Sequence, residues 1–337
     1  RSFFSMNTKQ EIVDAMNGEN KGSAPPALFS QTGTTELMSL CGSKWPEANF
    51  TEDALIRLAL QPSERLGFAT ARIPFDLTSE AERLGCEVRE GNGNIQPSVA
   101  GSPWRSETLL EPPEFMPVDE FLSEGRCSMY VHAAERISKE RPELFLTSCI
   151  NGPLEVAQFL VGAENFIMGL FMDPEIATAW VDRVTPYQCE YARAMSEVSD
   201  NIFVITEAAE DILPPDYFPM FAPFEKKTYD EIKESFSTTH VCGETSNVID
   251  GLIDLGANAL SVESFDDQEG MVERYGDKVV LVGGVNPISV LMQGPPDKVR
   301  ETAIRSAKAG YPIIAPECGV PPQTTNANLE ALAKYRL

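Results

Sequence analysis

The residues best suited to chemistry are a His-x-Cys pair, His240 and Cys242, and a cysteine further along the chain, Cys318. Together they offer one imidazole and two thiolates, the soft ligand set that a catalytic Zn²⁺ uses when its fourth position stays open. Residues i and i+2 of a strand point to the same side, so a single strand presents both His240 and Cys242 to one ion. The pattern alone leaves open the alternative that these cysteines are small buried hydrophobic residues.

These residues must be positioned by strands and helices, and the chain alternates between the two patterns. Eight apolar runs of strand length are separated by helical patterns, and several runs are continuous, as expected of strands covered on both faces. The candidate strands are residues 27–30, 69–75, 144–149, 202–206, 238–241, 259–262, 279–282 and 313–315. Strands that alternate with helices pair in parallel, and eight such units predict an α/β fold, the (β/α)₈ TIM barrel.

Polar or metal-capable side chains follow nearly every one of these strands. In a TIM barrel the chemistry lies at the carboxyl ends of the strands. The residues just past those ends are Gln31, Asp76, Asn151, Glu207, Cys242, Glu263, Asn286 and Cys318. Because the strands themselves are apolar, this concentration of polar residues predicts a functional site at the barrel mouth.

Residues 85–124, between the second and third strands, are too long for an ordinary connection. They contain a Gly-Asn-Gly-Asn turn signal at 91–94 and five prolines. This composition predicts a hairpin and loops laid over the barrel mouth and not a second domain. We therefore expect a single barrel domain over residues 6–337. Residues 1–5 are interpreted as a cloning remnant or a disordered segment and are left out of the fold.

Composition and charge narrow the class of protein. A chain of 337 residues with 42% hydrophobic content can bury a full core. No apolar run approaches the roughly eighteen residues that span a bilayer, and seven cysteines without framework spacing indicate reduced thiols, so we expect a soluble cytoplasmic protein. The formal charge of −24 disfavours nucleic acid and membrane as partners. An anionic substrate would need a local cationic pocket.

Seven segments, spread over essentially the whole chain, carry a family resemblance. They are residues 31–38, 45–48, 72–78, 85–88, 96–98, 240–243 and 316–324. These segments resemble the methylcobamide:coenzyme M methyltransferases, within the uroporphyrinogen decarboxylase superfamily. The two cysteine motifs are the specific part, because they separate the zinc methyltransferases from the metal-free decarboxylases. The arginine-rich N-terminal motif by which the decarboxylases hold propionates is absent, since residues 25–30 occupy its place.

The resemblance implies a zinc enzyme of one-carbon metabolism, as in methanogenesis. It assigns zinc binding to His240, Cys242 and Cys318. The implied donor is methyl-Co(III) of methylcobalamin, or of the corrinoid on a separate partner protein, and the implied acceptor is coenzyme M or another small thiol. Glu263 is the candidate fourth zinc ligand, with a hydrogen-bonded carboxylate that closes a strand as the alternative. Arg72 is the candidate partner of the sulfonate of coenzyme M.

Other expectations remain open. Gln31, Asn151 and Asn286 are candidate contacts to substrate and cofactor. Asp76 stands where a decarboxylase carries its central aspartate, and Glu207 where the family more often has an aspartate, so both are candidate catalytic residues. Two alternatives therefore remain: a metal-free decarboxylase-like lyase acting on a tetrapyrrole, or a barrel with a structural zinc that binds a corrinoid protein or small ligand without chemistry. The oligomeric state is also open, with a homodimer as one option.

Overall fold

The computed structural model describes residues 7–19 and 24–337. The interpretation of residues 1–5 lies outside the described residues. Seven strands form one parallel sheet in the order β1-β4-β5-β6-β7-β8-β9, and two more form an antiparallel hairpin. The bounds are β1 Thr70–Ile73, β2 Glu87–Arg89, β3 Ser98–Gly101, β4 Phe145–Asn151, β5 Asn201–Ile205, β6 Phe236–His240, β7 Ala259–Ser261, β8 Val280–Val285 and β9 Ile313–Pro316.

The sheet is completed by an extended segment that lies between β9 and β1. Pro26 forms an isolated parallel bridge to Ile314, and Ala27 N donates to the Ile314 carbonyl at 2.9 Å. On the other side Leu28 N donates to Thr70 Oγ1, a side-chain acceptor, at 3.2 Å. The predicted strand at 27–30 therefore occupies the eighth strand position of the barrel. It lacks, however, the continuous backbone hydrogen bonds of a regular strand. The (β/α)₈ barrel is confirmed.

Fourteen α-helices are assigned in the described residues, most of them between successive strands. They are α1 Lys9–Met16, α2 Thr35–Cys41, α3 Glu47–Phe50, α4 Glu52–Ala59, α5 Ser79–Arg83, α6 Gly125–Glu140, α7 Pro153–Val161, α8 Ala163–Met172, α9 Pro174–Ser196, α10 Phe218–Asp230, α11 Ile249–Ile253, α12 Gln268–Tyr275, α13 Pro296–Ala309 and α14 Asn326–Ala333. Short 3₁₀ turns lie at Val118–Glu120 and Pro215–Tyr217, and π turns at Pro62–Leu66 and Pro287–Met292. Among these helices none alone has the length and apolar character to cross a bilayer; α7 and α8 meet both criteria only jointly, and they are bent by 101°.

The register of the ladder decides which side chains enter the barrel. Cys149 pairs with Phe203, and Phe203 with Thr238, so these residues share one face of the curled sheet. A buried cluster on this face contains Phe29, Phe145, Cys149, Phe203, Ala259, Val282, Ile313 and Ala315, and it also includes Ile12, Ala15 and Met16 of α1. The amino-terminal part of the barrel interior is thus filled with apolar side chains, and α1 covers it.

The predicted hairpin in residues 85–124 is confirmed as β2 and β3, which are joined through a tight turn with an Asn92–Ile95 bridge. The rest of the insertion packs against the helices between β4 and β5. Trp180 of α9 donates through its indole N–H to the Leu110 carbonyl at 2.6 Å, and Ser102 Oγ donates to the Leu160 carbonyl. The insertion is therefore anchored to α7, α8 and α9 and continues into α6.

Candidate metal centre

The His-x-Cys pair and the late cysteine meet at the carboxyl ends of two strands. His240 is the last residue of β6, Cys242 lies two residues beyond it, and Cys318 lies two residues beyond the end of β9. The imidazole nitrogen and the two sulfur atoms all lie within 4.8 Å of one another. Two segments almost eighty residues apart in sequence are thus brought together by the curvature of the sheet, in which β7 and β8 lie between β6 and β9. We refer to these three residues as the His-Cys-Cys cluster.

The His240 ring is held in one orientation by its neighbours. Its Nδ1 lies 3.0 Å from the Ser261 carbonyl oxygen and 3.1 Å from Ser261 Oγ, and its Nε2 lies 3.0 Å from Cys242 Sγ. The ring also stacks on Phe203, with 4.8 Å between ring centroids. A carbonyl can only accept, so the proton belongs on Nδ1 and the Nε2 lone pair faces the sulfurs. This is the arrangement of a metal-binding histidine with its outer nitrogen hydrogen-bonded.

The three residues of the cluster differ in solvent exposure, which increases from the barrel interior toward the mouth. His240 is only 2% exposed, Cys318 is half-buried, and Cys242 retains contact with solvent. The two thiols share a hydrogen bond, which, assisted by His240, lowers the pKa of Cys318 to about 4 and raises that of Cys242. One thiolate is therefore already favoured in this pair, and thiolate is the form that binds a metal.

The donor set fits Zn²⁺, with one nitrogen and two sulfurs converging and solvent contact on one side. The proposed fourth ligand, Glu263, is half-buried two residues beyond β7, and its Oε1 accepts a hydrogen bond from Gly243 N at 3.0 Å. The charge of Glu263 acts electrostatically on Cys242. Its carboxylate oxygens, however, are not among the ligand atoms of the His-Cys-Cys cluster that lie within 4.8 Å of one another. Glu263 thus stands beside the cluster, and its two predicted roles, ligand or hydrogen-bonded strand cap, both remain predictions.

Glu207, the residue two beyond the end of β5, lies on the other side of the cluster. It is half-buried, and it lies close enough to the buried carboxyl group of Glu155 in α7 for the two groups to act on each other electrostatically. Burial raises the pKa of both carboxyl groups, and His240 partly offsets this at Glu207. The structure therefore brings Glu207 to the cluster, as expected, and adds a partner that sequence analysis missed.

A second missed carboxyl group is Glu317, which directly precedes Cys318. It is buried, and it accepts hydrogen bonds from the backbone and hydroxyl groups of Ser264. Burial raises the pKa of Glu317 to about 7. In the sequence, the only indication for Glu317 was its position next to Cys318. Ser261 and Glu155 had no such indication, because their roles depend on which strands and helices become neighbours in the fold.

Asp76, the other candidate catalytic carboxylate, is 1% exposed and already fully engaged. Arg126 Nη1 donates to both of its oxygens at 3.0 and 2.9 Å, and the Tyr130 hydroxyl donates at 3.0 Å. Thr78 adds a backbone and a hydroxyl donor to the same carboxylate. These contacts are those of a residue that fixes α6 against β1. A catalytic role for Asp76 remains a prediction.

Arg72 lies on the inner face of β1 and is buried. Its Nε donates weakly to the Phe29 carbonyl at 3.4 Å, and the Cys149 thiol lies close enough to act on it electrostatically. Nη1 has no acceptor among the described residues. Burial lowers the pKa of Arg72, while Cys149 and Asp76 oppose that shift. Asp76 itself is paired with Arg126, so Arg72 is a guanidinium group with an open donor inside the barrel.

The three remaining candidates hold loops at the mouth. Gln31 Nε2 donates to the Val320 carbonyl at 2.6 Å, just beyond Cys318. Asn151 Nδ2 donates to the Leu77 carbonyl at 2.8 Å. Asn286 Oδ1 accepts from Ile288 N at 3.0 Å and caps the turn that follows β8. All three make loop contacts, and their roles toward substrate or cofactor remain predictions.

A parallel (β/α)₈ barrel with a soft His-Cys-Cys cluster at its mouth defines a class of barrel enzymes built around a metal-capable site. The model of the family described as uroporphyrinogen decarboxylase (URO-D) matches residues 7–336. The chain therefore belongs to the uroporphyrinogen decarboxylase family.

Relatives place it more narrowly within that family. Over 333 residues the chain is 29% identical to the Methylcobamide:CoM methyltransferase MtaA of Methanosarcina barkeri, with 97% of each protein covered. It is 30% identical over 332 residues to the Methylcobamide:CoM methyltransferase MtbA of Methanosarcina mazei, with 97% of this chain and 96% of the relative covered. A solved structure of a methyltransferase from Methanosarcina mazei matches with a TM-score of 0.90 at 30% identity, over 98% of both chains. The family resemblance is confirmed, and the protein is an enzyme, a methyltransferase.

Proposed function

We propose that the protein is a zinc-dependent methyltransferase that moves a methyl group from a methylated corrinoid to a thiol, with coenzyme M as the acceptor. The observation that carries the proposal is the convergence of one nitrogen and two sulfur ligands within 4.8 Å at the barrel mouth. The names of the similar proteins from Methanosarcina support both the corrinoid donor and coenzyme M.

In this proposal His240, Cys242 and Cys318 hold the zinc ion. When bound, Zn²⁺ would stabilise the acceptor as a thiolate at neutral pH, although a free thiol has a pKa of about 8.5. Ser261 fixes the imidazole so that Nε2 faces the ion. Glu263 is the proposed fourth ligand of the resting enzyme. The solvent-exposed side of Cys242 provides the direction from which thiol and corrinoid approach.

Arg72 is proposed to bind the sulfonate of coenzyme M. Its open Nη1 donor and its burial suit an anion that arrives with the substrate, because a buried guanidinium without a salt-bridge partner is costly. Gln31, Asn151 and Asn286 are proposed to shape the pocket between this anion site and the mouth. The molecule as a whole is strongly acidic, so a local cation matters more here than in a neutral protein.

The donor is proposed to arrive on a cytoplasmic corrinoid protein that docks at the barrel mouth, with residues 85–124 as part of the rim. The insertion is anchored on α7 to α9, so it presents a formed surface to a partner. The metal-free lyase is the weaker candidate. The lyase would depend on the Asp76 carboxylate, which already accepts hydrogen bonds from Arg126, Tyr130 and Thr78. A metal-free lyase would also leave the two cysteine motifs without a function.

The proposed function is tested with purified zinc-loaded enzyme, free methylcobalamin and a panel of thiols. Coenzyme M, 3-mercaptopropionate and cysteamine differ in the charge opposite the thiol. We expect demethylation of methylcobalamin, followed by its absorbance, together with formation of the methyl thioether, followed by mass spectrometry, and the highest rate with coenzyme M. The absence of demethylation with every thiol, from enzyme of full zinc content, would contradict the proposal.

A further inference from the structure

The loop that follows β7 holds an aromatic ring in solvent beside the metal centre. Phe265 is 57% exposed and comes two residues after Glu263, so the backbone positions of the two are at most ~7 Å apart. Glu263 in turn accepts a hydrogen bond from the backbone of Gly243, the residue next to Cys242. Phe265 therefore stands at the rim of the barrel mouth near the His-Cys-Cys cluster, and the proposed function gives it no role.

The backbone at this point is strained and firmly held. Among the described residues other than glycine, only Phe265 and Asp266 have a positive φ, at 48° and 64°. A bulky side chain in this region is a steric outlier. The preceding residue, Ser264, donates to the buried Glu317 carboxyl group, and Asp266 pairs with Arg305 at 3.2 Å. Such strain persists only where the surroundings impose it, and it concentrates at binding and catalytic sites.

The neighbouring loop presents a second apolar side chain at the rim. Ile288 follows β8 and is 53% exposed. Asp266 and Ser289, each next in sequence to one of the two apolar residues, line one cavity, so the two loops lie side by side. A single exposed apolar residue is ordinary, but two on adjacent loops at the mouth indicate a contact surface. We call Phe265 and Ile288 the apolar edge.

Phe265 also lines a cavity of about 420 Å³ between the loops that follow β6 and β7. The lining includes three carboxylates, Glu244, Glu263 and Asp267, and one cation, Arg274, which is paired with Asp267 at 3.1 Å. The excess of carboxylates repels an anion such as a sulfonate, and it suits an occupant that is neutral or positive and carries N–H donors. Buried apolar side chains complete the lining, among them Ile249 and Met271.

We propose that the apolar edge and this cavity bind the corrin ring of the methyl donor, with Phe265 in contact with the ring and the cavity as the site of its peripheral carboxamide groups. The inference rests on the proposed function. A methyl group transferred in line must point from cobalt into the mouth, so the broad ring that carries it lies across the rim. The methyl-Co(III) corrin has apolar faces, a net positive charge and a fringe of amides. These properties match the apolar edge and the carboxylates of the cavity.

The test is the dissociation constant of methylcobalamin from the zinc-loaded enzyme, measured by calorimetry without a thiol so that no turnover occurs. Full burial of a phenylalanine ring corresponds to roughly 10-fold to 100-fold in binding. Because the corrin covers one side of the ring, Phe265→Ala should weaken binding about 10-fold. In turnover, KM for methylcobalamin should rise while KM for coenzyme M stays at the wild-type value. Phe171→Ala is the matched control, since Phe171 is also 57% exposed but lies on α8.

Two further variants and a second donor make the test specific. Glycine adopts a positive φ without strain, so Phe265→Gly should be at least as stable in urea as Phe265→Ala while it binds the donor as weakly. Phe265→Tyr keeps the ring and should bind as the wild type does. Methylcobinamide lacks the nucleotide tail but keeps the ring and its amides, so the ratio between wild type and Phe265→Ala should be the same with both donors.

The outcomes separate the two proposals. Equal dissociation constants for wild type and Phe265→Ala, an equal loss in Phe171→Ala, or a loss that disappears with methylcobinamide overturns the ring contact and leaves the proposed function standing. An absence of methylcobalamin demethylation by the zinc-loaded wild type with every thiol overturns the proposed function, and the ring contact with it. Binding that is weakened in Phe265→Ala and Phe265→Gly and kept in Phe265→Tyr and Phe171→Ala supports the inference.

Discussion

His240 Nε2 lies 3.0 Å from Cys242 Sγ, while the opposite ring nitrogen lies 3.0 Å from the Ser261 carbonyl. The two contacts define the ring from both sides, because the carbonyl retains the proton on Nδ1 and leaves Nε2 as a donor of electrons to a metal. Cys318 then enters from the end of β9, which is separated from β6 by β7 and β8 in the same sheet. The metal site therefore depends on three strands: β6 carries His240 and leads into Cys242, β7 carries Ser261, and β9 leads into Cys318.

The first prediction concerns metal content. Wild-type protein should contain one zinc per chain, and Cys242→Ala and Cys318→Ala should each lose it, because a missing thiolate weakens binding by orders of magnitude. Cys189→Ala is the control, since Cys189 is half-buried in α9 and belongs to a different part of the fold. Elemental analysis after dialysis measures the content. Full zinc in either ligand variant would refute the ligand assignment.

The second prediction concerns the orientation of His240. Ser261→Ala removes the hydroxyl contact at 3.1 Å but leaves the carbonyl contact at 3.0 Å. Loss of such an outer contact typically costs about 10-fold to 100-fold in metal affinity, and the remaining carbonyl contact places this variant near about 10-fold. Competition with a chromogenic chelator measures the change. An affinity equal to wild type would mean that the carbonyl alone orients the ring.

Much of the fold was predictable because its signals are local. Seven of the eight candidate strands correspond to β1 and β4 to β9, since continuous apolar runs indicate strands covered on both faces. The Gly-Asn turn likewise marked the β2–β3 hairpin. Segment 27–30 was predicted as a strand, but Leu28 N bonds to the Thr70 side chain instead of a backbone ladder, and no local pattern distinguishes these cases.

The site residues were predictable only where they lie just past the carboxyl ends of strands. His240, Cys242, Cys318 and Glu207 follow from the rule that chemistry lies past the carboxyl ends. Glu155 was missed because an acidic residue in the first turn of a helix normally serves the helix dipole. Its position near Glu207 depends on tertiary packing, which one sequence does not reveal.

The third prediction separates a structural from a catalytic role of Asp76. Asp76→Asn leaves Arg126 without its buried counter-charge, and breaking such a pair typically costs about 3 to 5 kcal/mol of unfolding free energy. We expect this loss in urea denaturation, with the turnover per folded molecule largely kept. Glu114→Gln, which removes the exposed partner of Arg183, should change stability little. A folded, stable variant without activity would instead support catalysis by Asp76.

The fourth prediction uses the raised pKa of Glu225. Burial raises this pKa to about 7, so the native state holds a proton that the unfolded chain gives up near pH 4.5. The resulting stabilisation is fully present below the unfolded pKa and is lost as the pH rises through 7, at about 1.4 kcal/mol per pH unit. Glu225→Gln lacks this dependence. Urea unfolding at pH 4.5 to 8 should show the variant gaining about 3 kcal/mol relative to wild type between pH 4.5 and 7. A constant difference would contradict the buried, protonated state.

The most direct test of the account is X-ray absorption at the zinc edge, with and without coenzyme M. The resting enzyme should show two sulfurs, one nitrogen and one oxygen in the first shell, from Cys242, Cys318, His240 and Glu263. Saturating coenzyme M should change this to three sulfurs and one nitrogen, because the substrate sulfur replaces the carboxylate oxygen. A sulfur count that stays at two with saturating thiol would contradict the claim that this barrel activates a thiol at its metal.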